Sequence, residues 1–102
     1  MFRLEITESA EADLDSITDY IGFELNNPQA AESLLDEIDR ACDVIGFTPE
    51  VFPLCDDARL ADMGYRKVVV RSYIMIYEID AEDESVRVLR FFHGSENYSA
   101  KL

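Results

Sequence analysis

The stretch GYRKVVVRSYIMIYEID, Gly64 to Asp80, decides how this chain folds. After Gly64 the spacing of apolar residues changes from near 3.6 to 2, and β-branched and aromatic side chains take over. Tyr65–Arg71 and Tyr73–Ile79 are therefore expected as neighbouring strands. In Tyr73-Ile-Met-Ile-Tyr77 the residues at both parities are apolar, whereas a strand with only one covered face alternates with polar residues. Both sheet faces are thus expected to be covered, the second by the C-terminal tail, a second copy or another protein. Downstream, Ala81–Ser85 is a solvated turn and Val86–Phe92 a further strand.

Upstream of Gly64 lie the helices. Phe2 to Ile6 alternates as a short half-buried strand. Thr7 is placed to cap a helix whose first turn carries Glu8 and Glu11, where the helix dipole favours acids. Ala10, Leu14, Ile17, Ile21 and Leu25 give its apolar stripe. Asn27 and Pro28 cap and open a second helix, with a stripe over Ala31, Leu34, Leu35, Ile38, Ala41, Cys42 and Ile45 and a stop at Gly46. Pro49 and Pro53 punctuate Phe47–Met63, where Asp56–Leu60 is expected as one short turn. The order is β-α-α-β-β-β. An α+β fold follows, with a two-helix hairpin packed on one face of a mainly antiparallel four-stranded sheet, spanning residues 1–102 as one domain.

Charge divides the chain. The 102 residues carry a formal net charge of −13. Residues 1–62 hold 16 acids and 3 bases, whereas residues 63–102 hold 6 of each. A field of that sign repels nucleic acid at long range, so an anion site belongs in the second part. By alternation Lys67 and Arg71 share one strand face and Arg66 takes the other, while Arg87 and His93 share a parity opposite to that of Arg90. These cations, with His93 and Tyr98, are the residues able to hold a phosphate or move a proton near neutral pH.

Other chemistry is not indicated. There is no Ser-His-Asp signature, phosphate loop or dinucleotide glycine pattern, and no cofactor is implied. Cys42 and Cys55 lack metal-ligand spacing and are expected as reduced, buried thiols. No apolar run approaches the roughly 20 residues needed to span a bilayer, and no leader pattern opens the chain, so the cytoplasm is the expected location.

The whole pattern resembles the RelE/ParE family of bacterial toxins from type II toxin–antitoxin systems. The resemblance rests on Ile6-Thr-Glu-x-Ala10-Glu-x-Asp13-Leu14, Asn27-Pro28, Phe47-x-Pro49-Glu50 and Gly64–Val70. It continues through Tyr73–Tyr77, Val88-Leu-Arg90, His93-Gly94 and Tyr98. It implies one of two activities: ribosome-dependent mRNA cleavage, as in RelE-type members, or poisoning of DNA gyrase, as in ParE-type members. It also implies a cognate antitoxin that wraps the toxin, and the doubly apolar strand fits such a partner or a homodimer. For cleavage, the resemblance carries over to Arg66, Arg90 and Tyr98; joined to the reading of the strand cations, it makes Arg66 and Arg90 the expected phosphate residues, His93 and Tyr98 the proton carriers, and Lys67 and Arg71 further substrate contacts. Three positions depart from the RelE pattern: Ile74 stands where the third-strand Arg is usual, and Ser95-Glu96 where a basic pair follows His-Gly. The alternative is a degenerate toxin fold that only binds, sequestering an antitoxin or another basic partner.

Overall fold

The computed structural model describes all 102 residues. The chain runs β1 (Arg3–Ile6), α1 (Glu8–Asp19), a π-helical turn (Tyr20–Glu24), α2 (Pro28–Phe47), α3 (Ala58–Asp62), β2 (Arg66–Val70), β3 (Tyr73–Asp80) and β4 (Ser85–His93). It closes on a 3-10 turn, Tyr98–Lys101. The strands form one mixed sheet in the order β1-β4-β3-β2, in which β1 runs parallel to β4 and the other pairs are antiparallel. This is the expected α+β arrangement, with α3 added on the far side.

The caps form where the sequence puts them. Thr7 accepts from the Ala10 amide at 3.1 Å and Asn27 from that of Ala30 at 3.1 Å, with Pro28 opening α2. Each cap satisfies an amide that the first turn leaves without a partner. The expected turn at Asp56–Leu60 is α3, capped by Asp57. Gly46, expected as a stop, instead lies inside the last turn of α2. It is buried there because a Cβ would stand 3.3 Å from Met1 and 3.6 Å from the Phe2 carbonyl oxygen, so glycine lets β1 approach the helix. The first helix ends in the π turn, which keeps Ile21 in the core and releases Leu25 to solvent.

Two cores flank the sheet. Between the sheet and the α1/α2 hairpin lie Ala10, Leu34, Ile38, Ile45, Val68, Met75, Tyr77, Val86, Val88 and Phe91, all buried. On the outer face Cys55, Leu60, Ile76 and Phe92 form a second, smaller cluster, with Tyr65, Ile74, Leu89, Tyr98 and Leu102 packed against it. The double-sided burial expected for Tyr73–Tyr77 therefore holds. α3 and the folded-back tail supply the outer cover. Arg59 fastens the two together by donating to the carbonyl oxygens of Ser99 at 2.6 Å and Leu102 at 3.2 Å.

Strand parity is corrected in β4. Tyr77 pairs with Val88 and Ile76 with Arg90, so Leu89 is an extra residue, a β-bulge. A bulge reverses the alternation beyond it. Arg87 and Arg90 consequently share the outer face and His93 turns to the helix side, the reverse of the parity expectation. Arg71 is likewise not a strand residue. It sits in the two-residue turn between β2 and β3 with φ +56°, a left-handed conformation, so its side chain does not continue the Lys67 row.

Candidate functional site

The six candidate residues fall into three places. Lys67, Arg90 and Tyr98 lie on the outer face. Lys67, Ile76 and Arg90 form one cross-strand row, and Val69, Ile74 and Phe92 form the next. Tyr98 stacks on Phe92 with ring centroids 6.0 Å apart, and the Arg90 guanidinium lies 4.8 Å from the centre of the same ring. Phe92 is thus the floor between the two. Burial holds the Tyr98 phenol above its ordinary value, opposed by the nearby Lys67 charge. The hydroxyl is therefore a proton donor, not an ionised base, near neutral pH.

Arg90 is locked. Its Nε and Nη2 donate to Asp13 on α1 at 2.6 and 3.0 Å, and Asp13 also accepts the Phe91 amide at 3.0 Å. The cause is topological. β1 ends at Ile6, so beyond Val88 the β4 edge has lost its neighbour. Thr7 and Asp13 fill the gap: Thr7 Oγ1 donates to the Leu89 carbonyl oxygen at 2.8 Å, and Asp13 takes the next free amide. The carboxylate raises the affinity of Arg90 for its proton, mainly through the hydrogen bond. Lys67 is held in the same way, by Asp56 at 2.7 Å.

His93 and Arg71 sit at the other end of the helix face. They border a cleft of about 630 Å³ where Ile17 of α1 and Tyr20 of the π turn approach Leu34 and Tyr73. His93 packs edge-on to Tyr73, with centroids 5.4 Å apart. Its Nδ1 accepts the Ser95 amide at 3.1 Å, so in the neutral ring the proton is on Nε2. Arg71 is tied to Glu37 at 2.7 Å and also donates to Ser33 on α2. Gly94 follows because the chain passes directly over the β2–β3 turn. Its amide donates to the Ser72 carbonyl oxygen at 2.7 Å, and a Cβ would stand 3.2 Å from that oxygen.

Arg66 belongs to neither group. It points to the helix side, beside its register partner Tyr77, and donates to the carbonyl oxygen of Phe52 at 2.7 Å. Tyr77 donates to that of Pro49 at 2.6 Å. Together they hold the proline-rich segment, a structural task. The ribonuclease set of Arg66, Arg90, His93 and Tyr98 is thus split by the sheet, with Arg90 and Tyr98 on one side and Arg66 and His93 on the other. Sequence reasoning missed Asp13 as the partner of Arg90, since 77 positions separate them. It also missed Phe92 as the shared platform. A polar Asp13 one position before Leu14 on the apolar stripe was the available signal.

Both thiols are free. Burial and the charges of Asp39 and Asp43 push that of Cys42 up to about 11, and Cys55 is raised mainly by burial, so neither is a ready nucleophile. No helix is long and apolar enough to cross a membrane.

Comparison with known proteins places this geometry. Among solved structures, the chain is similar to the chromosomal ParDE toxin–antitoxin system of Pseudomonas aeruginosa, at TM-score 0.70 and 18% identity over 91% of this chain and 96% of that one. It is also similar to the RelBE2 toxin–antitoxin complex of Mycobacterium tuberculosis, at TM-score 0.63 and 19% identity over 90% and 96%. The isolated Escherichia coli RelE toxin aligns at TM-score 0.59 and 18% identity over 99% and 95%. At these identities the likeness is one of fold. No curated protein matches the sequence significantly. The sequence profile described as "ParE toxin of type II toxin-antitoxin system, parDE" matches residues 4–98, all but the two ends of the chain. The chain therefore belongs to the ParE toxin family and is the toxin component of a type II toxin–antitoxin system.

Proposed function

We propose that this toxin acts by binding a protein target, DNA gyrase, and not by cutting mRNA, and that a cognate antitoxin neutralises it. The observation that carries this is the state of its cations. Arg90 is paired with Asp13, Lys67 with Asp56 and Arg71 with Glu37, while Arg66 is spent on backbone carbonyls. Phosphodiester cleavage needs donors preorganised where charge develops, and losing one costs on the order of 100- to 1,000-fold. Here each of the four candidate cations already faces an acceptor of its own chain. RNA binding also draws on the release of counterions by Lys and Arg. A surface of net charge −13 with paired cations supplies little of that.

A second reading has its own observation. Lys67, Arg90 and Tyr98 share the outer face around Phe92, and an RNA phosphate that displaced Asp13 or Asp56 would meet a cation and a phenol together. Pulse labelling after induced expression without the antitoxin separates the two. Under the proposal, thymidine incorporation falls first, purified toxin blocks gyrase supercoiling, and Tyr98→Phe leaves growth arrest unchanged. An early fall in amino-acid incorporation, with arrest lost in Tyr98→Phe, would replace it with ribosome-dependent cleavage. Continued growth with folded protein accumulating would leave only a binding module.

A further inference from the structure

The cleft of about 630 Å³ on the helix side owes its shape to the π turn. The Leu25 amide donates to the Tyr20 carbonyl oxygen at 3.0 Å, a bond that spans five residues. On an α-helix, residues five apart point about 140° away from each other. The wider π turn brings them towards the same side. Tyr20 and Leu25 thus become walls of the cleft, 52% and 55% exposed, while Ile21 between them stays in its floor with Leu34. The Asn27 amide donates to the Ile21 carbonyl oxygen at 3.0 Å and fixes the turn to the start of α2. Such departures from regular helix are frequent at functional sites.

The opposite wall is aromatic. Tyr73 and His93 are register partners on β3 and β4, and their rings meet edge-on. The Ser95 amide occupies Nδ1 of His93, so Nε2–H is the donor that the neutral ring has left for an occupant. A mainly apolar hollow of this volume, with a few placed polar groups, has the size and chemistry of a small-molecule site.

Charge narrows the ligand. No acidic residue lines the cleft, although the chain carries a net charge of −13. The one cation at its rim, Arg71, is already matched by Glu37 on α2. An ionised ligand of either sign would give up its hydration and find no unmatched charge in return. The rings of Tyr20 and Tyr73 favour a flat aromatic body, held offset or edge-on. We propose that the cleft binds a neutral aromatic small molecule carrying a hydrogen-bond acceptor. Its rings lie against Ile17, Ile21 and Leu34, and its acceptor takes the Nε2–H of His93. The site is on the opposite side of the sheet from Arg90 and stands whichever macromolecule the toxin attacks.

The test titrates the full chain, at about pH 8 where an imidazole is neutral, with α-tetralone and with tetralin, the same bicycle without the carbonyl. Both probes shift the amide resonances of Ile17, Ile21 and Tyr73. In His93→Phe, which keeps a ring but has no donor, the preference for tetralone over tetralin falls about threefold to tenfold, as loss of one net hydrogen bond requires. Leu25→Ala, at an exposed wall, weakens both probes alike while its circular dichroism is unchanged. An unchanged preference in His93→Phe, or resonances that stay in place at millimolar probe, would overturn the proposal. Tighter binding of naphthoate than of tetralone would overturn it in favour of an anion. Shifts produced by an amphipathic Leu-Lys helical peptide but by neither probe would make a partner helix the occupant. A dimer in sedimentation with the cleft amides already protected would make it a second copy.

Discussion

The helix side of the sheet is covered by two long, capped helices, whereas the outer side is covered by the five-residue α3 and a four-residue 3-10 turn. The first cover is built from elements whose own sequence specifies them. The second is too short to be stable alone and is held by polar ties: Arg59 to the tail carbonyls, Lys67 to Asp56, and Glu96 to Lys101 at 2.5 Å. One sheet therefore carries a rigid face and a face whose cover can open locally. Tyr98 and Lys67 belong to the second, so chemistry or binding on the outer face is coupled to how firmly the tail is held.

The largest expected effect separates the two covers. Leu34 and Leu60 are buried to 1% and 0% on opposite faces. Leu34→Ala should cost about 3–5 kcal/mol of global stability, the upper range for a rigid site that cannot collapse, and Leu60→Ala nearer 2 kcal/mol. Urea unfolding measures both, and amide exchange should show α3 and the tail opening first in Leu60→Ala alone. Equal losses without local opening would break the comparison.

Asp13 joins the two faces, since it reaches from α1 to Arg90 at the bare part of the β4 edge. Asp13→Ala leaves Arg90 and the Phe91 amide without their acceptor, at a cost of about 1–3 kcal/mol. Asp13→Asn keeps an acceptor for the amide and should recover part of the loss in the same unfolding experiment. Full recovery would mean that the charge of Arg90 contributes nothing to the lock.

The smallest effect concerns the tail. Lys101, then the His93 amide, hold the Glu96 carboxyl below the usual carboxylate range. A group whose folded value is lowered contributes stability that is fully present above its unfolded value and is lost as pH falls through the folded one. Tail amides at Tyr98–Lys101 should therefore be protected near neutral pH, and that protection should fade once the pH drops below the ordinary carboxylate value of 4.5. Glu96→Gln should exchange faster near neutral pH and lose the pH dependence. A wild-type tail that stays protected at acid pH would show that Phe92 stacking, not the ion pair, holds it.

Local physics made much of the molecule legible. Thr7, Asn27 and Pro28 fixed helix starts because a cap needs only its own next turn. The doubly apolar Tyr73–Tyr77 foretold two covered faces because burial is recorded in composition. The same local signals misled where an outside contact won. Gly46 reads as a stop, yet it is spent on a close approach by β1. Arg71 reads as a strand residue but turns the chain.

The site was less legible than the fold. The sequence determined the order of elements, the family pattern, the acidic first part and the concentration of cations on the strands, all properties carried by residue identity and short spacing. Only the tertiary structure decided which of those cations are free and which face each occupies. One inserted residue, Leu89, inverts the faces of everything after it. The termination of β1 at Ile6 is what exposes the β4 edge that Asp13 fills. Bulges and edges are properties of strand pairing between distant segments, and no single strand encodes them.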